Sequence, residues 1–243
     1  MIKAVVLAAG KGTRLKAEDT DLPKVMRKAN NKPILEYVLN AINFIEKKDI
    51  IIVVGYKKEE VINNFNGYTF AEQTVQLGTG HAVMAAQAEL ENWGGSVLIC
   101  CGDMPVVKAE TYSQLVRLHI QQNNDCTILS SQASDSLPYG RIIRDPSGNF
   151  MEIIEDRDCT PEQKKITELN SGVYVFRSEM LIEALKNLKN DNNQGEYYLT
   201  DVPQIMKNKG AKIGICKRDL GVEIIGVNNI EQLRQVEKIL GER

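Results

Sequence analysis

The sequence predicts an α/β fold: a mainly parallel sheet flanked by helices, with a mixed antiparallel lobe in its second half. Three observations carry this. Short β-branched runs alternate with longer segments of helical period through the first half. Those runs are apolar almost throughout, as strands buried on both faces are. In the second half, turn residues rather than long helices separate the strands.

Residues 2–8 form the first strand, a continuous apolar run after Lys3. Residues 34–47 read as a helix with Leu35, Val38, Leu39, Ile42 and Ile45 on one face. Strands at 50–54, 96–101 and 127–131 alternate with helical segments at 80–91 and 109–122. Short strands at 140–144 and 150–155 flank the turn Asp145-Pro146-Ser147-Gly148, and 172–176 supplies another. Helices at 179–188 and 198–207 and strands at 211–217 and 223–227 follow. The segment 229–240 closes as an amphipathic helix, with Ile230, Leu233, Val236, Ile239 and Leu240 on one side. With no internal repeat or low-complexity linker, the chain reads as one two-lobed unit, residues 1–228, plus a terminal helix, 229–243.

Composition excludes several classes. At 243 residues with 43% hydrophobic content, the chain has enough apolar side chains for a sizeable core. No stretch approaches the length a membrane span needs, and no secretory leader is expected. Residues 1–32 carry eight basic side chains against three acidic ones, whereas the whole chain has a net charge of −2. Local positive charge in an acidic protein suits a small polyanion better than a nucleic acid. The five cysteines, an odd number with no C-x-x-C spacing, argue against a disulfide framework or zinc knuckle and predict a cytoplasmic location. His81 and His119 lie too far apart in sequence to suggest a histidine metal site.

The strongest motif is Leu7-Ala8-Ala9-Gly10-Lys11-Gly12-Thr13-Arg14, where the first strand ends and small residues let backbone N–H groups approach a ligand. It is neither a dinucleotide fingerprint, since Leu15 stands where the third glycine belongs, nor a P-loop. Arg14 and the later Pro23-Lys24 add cations that reach phosphates on that turn.

With Gln73, Gln76-Leu77-Gly78-Thr79-Gly80-His81-Ala82 and Cys101-Gly102-Asp103-Met104-Pro105, the motif resembles the sugar-phosphate nucleotidyltransferases. Tyr139-Gly140-Arg141-Ile142, Glu155, Asn170-Ser171-Gly172, Gly195-Glu196-Tyr197-Tyr198-Leu199-Thr200-Asp201 and Gly226-Val227-Asn228-Asn229 continue the series in order. The set, spanning residues 2–229, is most similar to the uridylyltransferase domain of bacterial bifunctional enzymes that make UDP-N-acetylglucosamine. The resemblance implies a Rossmann-like nucleotide-diphospho-sugar transferase fold and transfer of a uridylyl group from UTP to N-acetylglucosamine 1-phosphate, a sugar-nucleotide step toward cell-envelope precursors.

It also implies roles. Asp103 and Asn228 would hold Mg²⁺, a hard ion commonly bound by one or two protein oxygens plus phosphates. Arg14 and Lys24 would stabilise the triphosphate. Leu7, Ala8, Ala9, Gly10, Lys11, Gly12, Gln73, Gly78, Thr79, Cys101, Gly102 and Asp103 would form the nucleotide site, with Gln73 offering an acceptor and a donor to uracil. Gly140, Glu155, Asn170, Glu196, Tyr198 and Thr200 would contact the sugar. The partners are then the two substrates, with no nucleic acid or membrane; homo-oligomerisation stays open.

Structural alternatives stand beside these roles. Asp103 suits a cap or turn, Asn228 the N-cap of the last helix, and Glu155 a solvated turn with Asp156, Arg157 and Asp158; His81 reads as a helix-start residue. The acceptor could be glucose 1-phosphate, and a regulatory subunit could keep the fold without turnover. Three departures from the family stand out. Cys101 occupies a position often held by tyrosine. The segment 15–22 is long and acidic, with Glu18, Asp19 and Asp21. Residues 1–243 carry no hexapeptide repeat, so neither an acetyltransferase domain nor acetyl-CoA chemistry is expected of this chain.

Overall fold

The computed structural model describes residues 1–15, 22–133 and 137–242. In chain order the strands are β1 Ile2–Leu7, β2 Lys28–Ala29, β3 Lys32–Pro33, β4 Ile50–Val54, β5 Thr69–Glu72, β6 Ser96–Cys101, β7 Cys126–Gln132, β8 Arg141–Arg144, β9 Phe150–Ile154, β10 Glu168–Arg177 and β11 Ile213–Arg218. The α-helices are α1 Ile34–Ala41, α2 Lys58–Ile62, α3 Thr79–Ala85, α4 Gln87–Leu90, α5 Ala109–Gln122, α6 Ser178–Leu185, α7 Val202–Asn208 and α8 Ile230–Gly241.

The main sheet runs β11-β7-β10-β6-β1-β4-β5, with β8 and β9 added beside β10. Pairing is parallel except at β10, which runs against β6 and β7, and in the antiparallel β8–β9 extension. The fold class is therefore as the sequence predicts. Alternation along β1 shows how the layers form. Ala4 and Val6 join a core with Leu35 and Val38 of α1 and Tyr112 and Leu115 of α5. Val5 joins the opposite core with Val83 of α3, Leu181 of α6 and Met206 of α7. Both faces are covered, which is why these strands carry no polar alternation. A smaller cluster seats α8 through Val236 against Leu15, Ala29, Ile34, Val106 and Val227.

Several elements differ from expectation. The helix expected over 34–47 ends at Ala41, although Ile42 and Ile45 stay buried on the same face. The helix expected over 80–91 breaks at Ala86, and that over 198–207 begins as a 3-10 turn, Leu199–Asp201, before Pro203 sits in the first turn of α7. The strand expected over 223–227 is absent: Gly221–Ile224 forms a 3-10 turn. There the buried Glu223 carboxylate accepts from Lys108 N (3.0 Å) and Thr111 Oγ1 (2.7 Å), capping α5 from a distant segment. That tertiary cap overrides the β-branched local pattern. The edge strand β5, helix α2 and the β2–β3 hairpin were not foreseen.

Candidate functional site

Strand β1 pairs with β4 on one side and β6 on the other, so the three carboxyl ends lie side by side: Leu7 is level with both Val53 and Cys101. Such a switch in strand order opens a crevice. Backbone bonds extend it, from Ala8 N to Val53 O (2.9 Å) and from Gly102 N to Leu7 O (2.9 Å). Gly10, Lys11 and Gly12 follow on the turn. Gly12 has φ +69°, and a Cβ there would lie 2.9 Å from Lys24 Cβ, so the Lys24 stem packs directly on the glycine turn. Lys24 N also donates to Gly10 O (3.3 Å). Ala9 O accepts from Tyr56 N (3.2 Å), and the Lys11 ammonium sits 5.0 Å from the Tyr56 ring centroid, exposed. The Arg14 side chain and the acidic segment 16–21 lie outside the described residues.

Lys24 Nζ donates to Asp103 Oδ2 and, at 2.8 Å, to Asn228 Oδ1. Two oxygens from distant parts of the chain thus converge on one cation. A further backbone bond, Val227 N to Asp103 O (2.9 Å), holds the two segments together. Asn228 does not cap α8. Asn229 does, its Oδ1 accepting from Gln232 N (2.8 Å), while Gln232 Oε1 accepts from Asn228 N (2.7 Å). The Asn228 amide is thereby freed for the cation.

Gln73 is buried at the end of β5's segment, its Nε2 donating to Gly78 O (3.0 Å) and lying 3.1 Å from His81 Nδ1. Both N–H groups are directed at protein acceptors when His81 carries its proton on Nε2, so the group left for a ligand is the carbonyl oxygen. His81 is in the first turn of α3. Gly78, with φ +107°, precedes α3, and a Cβ there would meet Tyr197 O at 2.6 Å. The same stretch is stitched to the second lobe: Tyr197 N donates to Leu77 O (2.8 Å), Gly80 N to Tyr197 O (2.8 Å) and Leu199 N to Thr79 Oγ1 (3.0 Å).

Below this seam lies a cavity of about 380 Å³. Gly140, Glu155, Asn170, Glu196, Tyr198 and Thr200 all line it, together with Leu7, Thr79, Cys101, Asp103 and Asn228. Thr200 Oγ1 donates to Glu155 Oε1 (3.0 Å). Burial pushes the Glu155 carboxyl up; the Thr200 bond opposes this, and nearby Asp201, Asp158 and Asp156 add to it. Asn170 sits at a bulge in β10, where the register with β7 shifts between Asn170 and Tyr174. Its Nδ2 donates to Tyr174 Oη (2.7 Å) and Gly140 O accepts from its backbone N (2.8 Å), leaving one amide hydrogen for a ligand. Cys101 is inert packing on the wall, its thiol pushed up by burial. Ala8, Ala9, Gly10, Lys11, Gly12, Lys24, Gln73, Gly78 and Gly102 are not on the cavity wall; they form the adjoining crevice.

Two contributors were not foreseen. Gln194 lines the cavity and donates through Nε2 to Tyr198 Oη (2.7 Å). Tyr139, also lining it, donates to Ile224 O (2.7 Å) and accepts from Gly226 N (3.2 Å), tying the lobe to the Asn228 segment. Gln194 had no signal beyond a polar run before Gly195. Tyr139 stands beside Gly140 in the Tyr139-Gly140-Arg141-Ile142 stretch, which is the signal it carries in the sequence.

The nucleotidyl transferase family matches residues 3–220. The bifunctional protein GlmU of Caldanaerobacter subterraneus subsp. tengcongensis is 46% identical over 99% of this chain and 52% of its own length. That of Streptococcus gordonii is 42% identical over 99% of this chain and 52% of its own. The chain thus spans about half the length of these relatives. A Bacillus anthracis protein assigned as a glucose-1-phosphate thymidylyltransferase, crystallised with sucrose, superposes with a TM-score of 0.74 at 17% identity, covering 98% of this chain and 95% of that one, and so shares the fold. With its family match across both lobes, this chain belongs to the nucleotidyl transferase family.

Proposed function

We propose that the chain transfers a uridylyl group from UTP to N-acetylglucosamine 1-phosphate, releasing pyrophosphate. One observation carries the reading: the cation cradle of Asp103 and Asn228 and the polar set Glu155, Asn170 and Thr200 line a single cavity that adjoins the glycine turn. A phosphate oxygen of the acceptor attacks the α-phosphorus and pyrophosphate leaves, so two polyanions must be brought together and aligned. Residues 9–12 offer backbone N–H groups and Lys24 a cation to the triphosphate. Gln73 Oε1 accepts from the uracil ring N–H. Glu155, Thr200 and the spare Asn170 amide hydrogen hold sugar hydroxyls and the N-acetyl group. Among the described residues no Lys or Arg lines the cavity itself, which suits an uncharged sugar ring there with its phosphate turned toward Lys24.

The donor set fits Mg²⁺. A carboxylate and an amide oxygen already share one cation, and a magnesium ion completed by phosphates and water needs no larger protein cluster; none of three or more acidic, His or Cys groups occurs among the described residues. Asp103 and Asn228 would hold the ion, which when bound supplies charge neutralisation to the reacting phosphates.

We assign the transferase unit to residues 1–228, with α8 an appended helix that seats Asn228. A cytoplasmic setting accords with five free cysteines, and no helix among the described residues is long and apolar enough to cross a membrane. The test is pyrophosphate release with Mg²⁺ from each of four nucleoside triphosphates, crossed with N-acetylglucosamine 1-phosphate and glucose 1-phosphate. Turnover confined to UTP and N-acetylglucosamine 1-phosphate is the expected result. Preference for another pair overturns the base or the sugar assignment, and no release from any pair overturns the reaction.

A further inference from the structure

We propose that Lys24 is the resident counter-ion of the Asp103–Asn228 cradle in the nucleotide-free protein, and that a divalent ion enters only as Lys24 is drawn away by the triphosphate. This rests on the metal assignment above and adds to it a coupling between ion and nucleotide. Lys24 Nζ is bonded to Asp103 Oδ2 and Asn228 Oδ1, the two oxygens the ion would use. The Lys24 and Asp103 side chains are only 16% and 20% exposed, so water does little to loosen the pair.

The root of Lys24 is fixed while its tip is not. Its backbone N is bonded to Gly10 O, and its Cβ is pressed against Gly12. Movement is therefore confined to the four-carbon stem, which pivots between the cradle and the glycine turn beside which it is anchored. With no phosphate at that turn, a divalent ion on Asp103 would sit against an ammonium group that has lost its carboxylate, and the two cations repel. A triphosphate on the turn offers the ammonium new anionic partners and removes that opposition. By linkage, ion and nucleotide each tighten the other.

Electron paramagnetic resonance titration with Mn²⁺ alone reads this without turnover. Lys24→Gln keeps a polar tip but removes the charge; it should bind Mn²⁺ about tenfold more tightly than the wild-type chain, within the usual range of coupling between sites. The gain should vanish when Asp103→Asn is present in both chains. Lys24→Met provides a second variant, and Mn²⁺ should raise the Tm of either folded variant more than that of the wild type. Equal or weaker Mn²⁺ binding by variants whose circular dichroism matches the wild type overturns the proposal. Pyrophosphate release by a wild type whose variants show no Mn²⁺ gain defeats the latch alone. Tighter Mn²⁺ binding in a chain that turns over no substrate pair upholds the latch and defeats the reaction assignment.

Discussion

Thr200 and Glu155 meet through one hydrogen bond of 3.0 Å on the cavity wall, and that bond opposes the burial that pushes the carboxyl up. Thr200→Val preserves shape and removes the donor. It should raise KM for the sugar phosphate by about tenfold, roughly one charge-assisted hydrogen bond, and leave KM for UTP unchanged. Equal shifts in both constants would place Glu155 outside the sugar site. Lys24→Ala should lower kcat by roughly 10²–10³-fold, the usual loss for a preorganised charge donor, about 3–4 kcal/mol. Wild-type kinetics would leave Lys24 only a structural counter-ion of Asp103. Residues of this kind were legible in the sequence because their chemistry is rare in context: a lysine after a proline, an aspartate between glycine and methionine at a strand end. Gln194 was not, since nothing local distinguishes it from any polar loop residue until Tyr198 is seen against it.

Adjacent residues at the start of α8 separate structure from chemistry. Asn229 caps the helix through Gln232, whereas Asn228 faces the cation. Asn229→Ala should destabilise the fold by about 1 kcal/mol in urea titration, the usual loss of a cap, with the Mg²⁺ dependence of turnover unchanged. Asn228→Ala should do the reverse, shifting the Mg²⁺ dependence to higher concentration with little loss of stability. Matching effects from both would mean that the helix start, not the amide, matters. The same region shows where legibility ends. The parallel strands and α5 were readable because burial on both faces and helical period leave strong local patterns. The segment 223–227 reads as a strand by its β-branched residues, yet Glu223 is drawn into capping α5, over a hundred residues earlier in the chain. At the start of α3, Leu77, Thr79 and Gly80 are likewise bonded to Tyr197 and Leu199 from the other lobe. Those contacts belong to no local window.

Two titrating groups far apart in the chain, the buried His119 and the half-buried Asp201, make opposite contributions to the molecule's acid response. His119 lies on the buried face of α5 with Nδ1 3.0 Å from Thr127 Oγ1, and burial lowers it from 6.5 to about 4, helped by Arg177. Its neutral form is the folded one, so the stability it contributes is complete above about pH 6.5 and is lost as pH falls toward 4. Asp201, before α7, is raised from 3.8 to about 6 by burial and by Asp158 and Glu152. Its contribution has the opposite sign: complete below about pH 3.8 and lost as pH rises through 6. Between pH 4 and 6 folding therefore releases a proton at His119 and takes one up at Asp201, and the two slopes offset each other. Urea midpoints measured from pH 4 to 8 should accordingly change little across that window in the wild-type chain. Asp201→Asn removes the compensating uptake, so its stability should fall more steeply on acidification. His119→Gln, which retains an acceptor for Thr127, should instead gain stability as pH falls from 6 to 4. Parallel pH profiles for all three chains would show that neither group differs between folded and unfolded states, and would remove burial as the cause of both shifts.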